Sequence, residues 1–240
     1  MTSFSLQECI HYNTERGSPV FVCFLDSATA FDTVWHTGLF VKLHRLGIRG
    51  KLWSLLINAY TNMKNCVLQN GVRSEWIDVR QSVRQGSVLG PWNFLVHIDG
   101  LPKAIQSSGH GAYVNDIFCG CPLQADDVAL VSVSEQSLQS MIDICADYAR
   151  KWRFTFNASK TKIMVFGNSK IKTQKLTNRR AWTLGENVLD IVDSYTHVGI
   201  KLDRSESSLS RTTEACAKSR RTFAAACGLG INPMSPRSAS

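Results

Sequence analysis

The chain has 240 residues, 44% hydrophobic and 19% charged, which excludes a disordered chain and leaves room for one substantial core or two small ones. Its net charge of +8 and pI near 9.2 favour a polyanionic partner without bearing on the fold. No stretch approaches a membrane span, and "PVFVCFL" is too short and too far inside the chain for a signal sequence, so the expectation is an intracellular protein of cytoplasm or nucleus, neither secreted nor transmembrane.

In chain order, "SLQECIHYNTERG" reads as a helix closed by Gly17, and "PVFVCFLD" as a short buried strand that ends on an acid. "HTGLFVKLHRLG" and "KLWSLLINAYTNM" carry apolar residues at helical spacing. "NCVLQ", the Asn70-Gly71 pair and "VRSEWIDV" predict one hairpin. "WNFLVHIDGLPKAIQ" predicts a helix interrupted near Gly100 and Pro102. "AYVNDIFCGCPLQ" and "VALVSVS" read as two strands, and "SLQSMIDICADYARKWRF" as the clearest amphipathic helix. The strand "TKIMVFG" and the pieces "AWTLG" and "VLDIV" follow, and from about Ser205 the chain turns Ser-, Arg- and Ala-rich, ending in a loose tail. The pattern is α+β without internal repeats. The eight cysteines are scattered, and the one close pair, Cys119 and Cys121, lacks a second half-site for zinc, so reduced thiols are expected.

Two features bear on function. Asp126 and Asp127 are adjacent carboxylates in an apolar stretch, where like charges repel. They are either a polar tip between two strands, with both side chains in water, or a pair neutralised by a hard cation such as Mg²⁺. Asp26, at the end of a predicted strand, is either an ordinary helix cap or a third carboxylate that meets this pair across a sheet, as a two-metal phosphoryl-transfer site requires. Between Tyr148 and Gly185 stand Arg150, Lys151, Arg153, Lys160, Lys162, Lys170, Lys172, Lys175, Arg179 and Arg180 with no acid among them. That run is a solvated basic face or a phosphate-tracking surface.

Five segments in order, "FLDSATAFDTVWH", "VRQGSVLGPWNFLVHIDGLP", "QADD", "FTFNASKTKIMVFG" and "YTHVGIKLD", resemble motifs A to E of the reverse transcriptases of LINE-type, non-LTR retrotransposons, of the jockey-like kind. The resemblance covers about residues 1 to 225. It implies a right-hand polymerase palm, an antiparallel sheet packed on helices, with partial fingers and a partial thumb. The implied division is 1–36 palm with motif A, 37–81 partial fingers, 82–202 palm with motifs B to E, and 203–240 truncated thumb and tail. The implied activity is RNA-directed DNA polymerisation, with an RNA template, a DNA primer and dNTPs as partners.

The resemblance assigns roles residue by residue. Asp26, Asp126 and Asp127 would hold two Mg²⁺ ions, with Mn²⁺ as an alternative, and the carbonyl of Ser27 would add a ligand. Phe31 would crowd the 2′ position of the incoming sugar; the other reading is a core aromatic. Asp32 would cap or pair with a base. Gln85 would contact template or nucleotide, and Gly86 would let the backbone approach the nascent base pair. Lys160 would donate a proton to pyrophosphate or serve as one more phosphate contact. "YTHVGIKLD" would form the primer grip.

There are departures. Gln124 stands where the family usually has an aromatic before "ADD". The upstream fingers segment is absent, the thumb is cut short, and no endonuclease domain precedes the polymerase part, so a truncated fragment is expected. Two function classes therefore remain open, a reverse transcriptase core and a catalytically silent remnant that at most binds nucleic acid; a two-metal nuclease ranks below both.

Overall fold

The structure, a computed structural model, describes residues 2–83, 86–167 and 181–204. Helix α1 (Thr2–Glu15) ends at Gly17 and leads into strand β1 (Val20–Leu25), all six of whose residues are buried. Helices α2 (His36–Arg45) and α3 (Gly50–Tyr60) follow. Where the sequence predicts one hairpin, the backbone forms two short ladders in series: β2 (Lys64–Asn65) pairs β5 (Ile77–Asp78), and β3 (Leu68–Gln69) pairs β4 (Val72–Arg73) around Asn70-Gly71. Val67, Leu68, Val72, Trp76 and Ile77 on this ribbon are all exposed, so no packed face holds the intervening residues in register.

The helix predicted over 92–106 is two helices, α4 (Gly90–Ile98) and α5 (Gly100–Ser107), meeting at Asp99. Pro102 lies in the first turn of α5, where its missing N–H would have no partner in any case. The stretch read as a single strand over 112–124 is a small hairpin, β6 (Tyr113–Val114) with β7 (Ile117–Phe118), followed by β8 (Leu123–Gln124). Asn115 at its turn adopts φ 52°, which asparagine tolerates better than most residues. Strand β9 (Asp127–Ser132) leads to α6 (Glu135–Trp152), the longest of the described helices. The Ser134 hydroxyl accepts from the Ser137 N–H at its start, and Arg153 closes it at φ 60°. Then come β10 (Lys162–Phe166), β11 (Thr183–Leu184), β12 (Asn187–Val188), β13 (Asp190–Ile191), β14 (Ser194–His197) and β15 (Ile200–Asp203).

The central sheet has the order β13-β10-β1-β9-β8 and is antiparallel except at its edge, where β13 runs parallel to β10. Central β1 pairs both neighbours, so Val22 sits between Met164 and Val131 and Cys23 between Ile163 and Leu130. Period-2 alternation then separates two cores. Phe21, Cys23, Leu25, Leu130, Ile163 and Val165 point toward α6, which buries Leu138, Met141, Ile142 and Cys145 against them. Val20, Val22, Phe24, Ala129, Val131, Met164 and Phe166 face α1 and the β14–β15 hairpin through Leu6, Cys9, Ile10 and Leu202. The result is a sheet covered on both faces.

No described helix is long and apolar enough to cross a membrane. The described cysteines Cys9, Cys23, Cys66, Cys119, Cys121 and Cys145 are free thiols. The region 205–240, expected to be thumb and tail, lies outside the described residues.

Candidate active site

The β1–β9 register runs to Leu25 opposite Val128; one further step sets Asp26 opposite Asp127. By alternation both belong to the face of Phe24 and Ala129, the face covered by β14–β15. Gln124 pairs with Asp127 across the β8–β9 hairpin, so Ala125 and Asp126 form a two-residue loop. Ala125 takes φ 54°, a left-handed conformation that costs a non-glycine residue about 1–2 kcal/mol. Three carboxylates from two strand ends and one tight turn thus share one end of the sheet.

Electrostatics register this convergence. The Asp127 carboxyl is raised from its ordinary range by burial, then by the negative charge of Asp126; Asp26 adds to the rise and His197 opposes it. Tyr195 is raised too, by burial and then by the charges of Asp127 and Asp26. Its ring stacks on Phe24 at 4.3 Å between centroids, and the His197 ring lies 5.4 Å from the same phenyl group.

The loop between α6 and β10 braces Asp26 from the opposite side. Asn157 N–H donates to the Asp26 carbonyl at 2.7 Å, and Ala28 N–H donates to the Thr155 carbonyl at 3.1 Å, which pairs Ser27 with Phe156 between them. The Asp26 N–H in turn donates to Thr161 Oγ1 at 3.4 Å. The Asn157 side chain accepts from the Ser159 and Lys160 N–H groups, a local turn that asparagine favours. It leaves Lys160 Nζ 3.8 Å from Asp26 Oδ2. The Ser27 hydroxyl is buried without a hydrogen-bond partner.

Phe31 lies half-buried against the main core with its ring 5.0 Å from that of Phe94, and its carbonyl accepts from the Val83 N–H at 2.8 Å. Asp32 is exposed. Gly86 adopts φ 80° with nothing within 4 Å of where a Cβ would be, so the backbone conformation and not crowding demands glycine there. Gln85 lies outside the described residues, as do Lys170, Lys172, Lys175, Arg179 and Arg180 of the basic run.

The described half of that run is not acid-free in space. Arg150 pairs with Asp147 at 3.1 Å, Lys162 with Asp190 at 2.6 Å and Lys160 with Asp26, while the Arg153 guanidinium lies 4.1 Å from the centre of the Trp35 ring. Sequence reasoning missed three residues: His197 and Tyr195, inside the segment read only as the primer grip, and Lys42, which was not singled out. Lys42 is buried, its ammonium donating to the His97 carbonyl and to Tyr148 Oη with the Trp152 ring 3.9 Å away.

Among the described residues, no group of three or more His, Cys, Asp or Glu side chains is gathered closely enough to hold a metal ion. The donor set nonetheless has the chemistry of a hard-cation site: carboxylate oxygens at adjacent strand ends, where burial first and repulsion from Asp126 and Asp26 second raise Asp127, and a divalent cation would offset both.

Comparison with known proteins gives the family and the fold. Residues 1–202 match the reverse transcriptase (RNA-dependent DNA polymerase) family. The RNA-directed DNA polymerase from mobile element jockey of Drosophila funebris is 30% identical over 189 residues, 76% of this chain and 19% of that protein. The Pol polyprotein from the type-1 retrotransposable element R2 of Popillia japonica is 26% identical over 163 residues, 67% of this chain and 23% of that protein. This chain therefore spans about a fifth of the length of these relatives. Apo telomerase from Candida tropicalis superposes with a TM-score of 0.56 at 10% identity, covering 85% of this chain and 38% of the other. The sheet and its helices are a polymerase palm, and the chain belongs to the reverse transcriptase family.

Proposed function

We propose that this chain is the RNA-directed DNA polymerase core of a non-LTR retrotransposon protein, extending a DNA primer with dNTPs on an RNA template. The observation that carries the reading is the placement of Asp26, Asp126 and Asp127 at one end of the palm sheet, Asp26 one residue past the β1–β9 ladder and Asp126 and Asp127 at the β8–β9 turn. Asp26, Asp126 and Asp127, with the Ser27 carbonyl, would hold two Mg²⁺ ions, or Mn²⁺. Bound there, the cations supply activation of the primer 3′-hydroxyl and neutralisation of the triphosphate. The chain's own residues do the rest. Lys160, beside Asp26, holds a positive charge, and a proton to give, where pyrophosphate departs. Phe31 bounds the sugar pocket, Gly86 supplies a backbone without a side chain at the base pair, and Gln85 contacts template or nucleotide. The division into palm (1–36 and 82–202), fingers (37–81) and thumb (203–240) follows, with the cytoplasm or nucleus as the compartment.

A second reading is a catalytically silent remnant that binds nucleic acid. It draws on exposed Gln124 at the hairpin next to Asp127 and on the three acids not being gathered into one ligand cluster.

Primer extension on poly(rA)/oligo(dT) with Mg²⁺ and dTTP separates the two. Extension by the wild type and none by Asp126→Ala or Asp26→Ala supports the polymerase. Near wild-type extension by either variant removes the triad assignment, and hybrid binding without extension by any of the three establishes the remnant.

A further inference from the structure

Lys42, in the last turn of α2, is the only buried lysine among the described residues. Its Nζ donates to the His97 carbonyl of α4 and to Tyr148 Oη of α6, and lies 3.9 Å from the centre of the Trp152 ring. These partners hold the end of a flexible stem in one place, and no carboxylate is among them. The nitrogen is not sealed in, however. Lys42 lines a cavity of about 340 Å³ between α2, the α4–α5 junction and α6, a volume at the lower end for small-molecule pockets. Val96, Tyr148 and Trp152 give the cavity apolar walls, and Arg45 and Lys151 bring two more cations to it. The acid on its wall, Asp99, is paired with Lys103 at 2.6 Å, so the cavity carries uncompensated positive charge. It lies on the α6 side of the sheet, whereas Asp26 and Asp127 belong to the face that β14–β15 covers.

An amine desolvated in an apolar pocket and set among cations is a nucleophile, because both effects favour the neutral form that carries the lone pair. Here burial lowers the Lys42 ammonium to about 7; Lys151 and Arg45 add to the fall and Asp99 opposes it. The His97 imidazole, lowered to about 4 by burial and then by Lys42, stays neutral across that range. Burial raises the Tyr148 phenol, which therefore keeps its proton.

We propose that Lys42 is a covalent binding site for a small anionic aldehyde: its amine condenses with the aldehyde carbon while Arg45 and Lys151 bind the anionic group. The nitrogen lone pair forms the new bond to carbon. The carbonyl oxygen then takes up the two amine protons and leaves as water, and an imine remains between Lys42 and the ligand. No oxidant or reductant enters the step. The site uses none of the residues placed at the acids, so it stands independently of the polymerase reading.

The test is labelling of the full chain by para-formylbenzoate, trapped with borohydride and located by peptide mass spectrometry, with the uncharged methyl ester of the same aldehyde as the second probe. At pH 7 about half of Lys42 is neutral, against on the order of 1 in 1,000 for an ordinary lysine, so it should label about 10-fold faster than any exposed lysine. Its rate should level off by about pH 8, where the rates of exposed lysines still climb. The methyl ester should label Lys42 about 10-fold more slowly than the carboxylate, and the double variant Arg45→Ala, Lys151→Ala should bring the carboxylate down to the rate of the ester. An exposed lysine that labels as fast as Lys42 overturns the nucleophilic site. Equal labelling of Lys42 by the two probes overturns the anionic class of the ligand, and with it the proposal. Loss of the preference for Lys42 in urea that unfolds the chain supports a site built by the fold; a preference that persists there would belong to the local sequence and overturn it.

Discussion

Asp26 and Asp127 stand opposite each other one step beyond the last paired residues of the β1–β9 ladder, on the face of the sheet that Phe24 and Ala129 occupy. Burial of Asp127, then the charge of Asp126 and last that of Asp26, has a cost. The raised Asp127 carboxyl binds its proton more readily folded than unfolded, so the folded state loses stability as pH rises through the window between the ordinary carboxylate value and the raised one. Asp127→Asn should abolish that decline and gain less than about 1 kcal/mol at pH 7, because the group is solvent-screened. Added Mg²⁺ should raise the melting temperature of the wild type and not of Asp127→Asn. Thermal melts with and without Mg²⁺ check both; equal Mg²⁺ responses would separate Asp127 from any metal.

Lys42 yields a stability prediction of opposite slope. Burial lowers its ammonium from 10.5 to about 7, with Asp99 opposing and Lys151 and Arg45 adding to the fall. Folding then releases a proton between about pH 7 and 10, so stability should rise with pH across that window and be lowest below 7. Lys42→Met keeps the stem against Trp152 and leaves the His97 carbonyl its bond from Tyr148 Oη at 3.1 Å. It should flatten the slope and stabilise the protein at pH 6 by on the order of a few kcal/mol. Urea unfolding at pH 6 and 9 measures this, and a destabilised Lys42→Met at pH 6 would show that the charged amine is worth more than its desolvation.

Phe31 is asked to do two things. Phe31→Ala should cost about 2–3 kcal/mol through lost packing on Phe94, less than a fully buried phenylalanine. If the ring also bounds the sugar pocket, the same variant should incorporate ribonucleotides more readily relative to deoxynucleotides. Lost stability with unchanged discrimination would make Phe31 a core residue alone.

The ion pairs in the basic segment limit its salt response. Ten free cations on phosphates would give a slope of log K against log salt near about −9, by analogy with duplex DNA. With Arg150, Lys162 and Lys160 each paired to an acid, hybrid binding should show a slope no steeper than about −6. Fluorescence anisotropy from 50 to 300 mM salt reads it, and a slope near −9 would mean that nucleic acid displaces every acidic partner.

Local patterns foretold the helices and the central strands, because a period of 2 or 3.6 is written in consecutive residues. The breaks were harder. Nothing in "NCVLQ" and "VRSEWIDV" announces that their pairing lapses between Asn65 and Leu68, since that depends on a covering face the ribbon lacks. Asp147, Asp190 and Asp26 lie outside the basic run in sequence and beside it in space, so its apparent lack of acids was an artefact of reading along the chain. Lys42 and His197 gain their character wholly from distant partners, α4 to α6 for the one and β1 and β9 for the other.

The central sheet ends on each side in a strand of only two residues, β8 and β13. Edges that short offer little backbone for another chain to template on, which is how natural sheets resist aggregation. The exposed ribbon bearing Val67, Leu68, Val72, Trp76 and Ile77 has no such protection. Self-association of the isolated chain should therefore begin at that ribbon, and substituting its apolar residues by lysine is the first change to make for solubility.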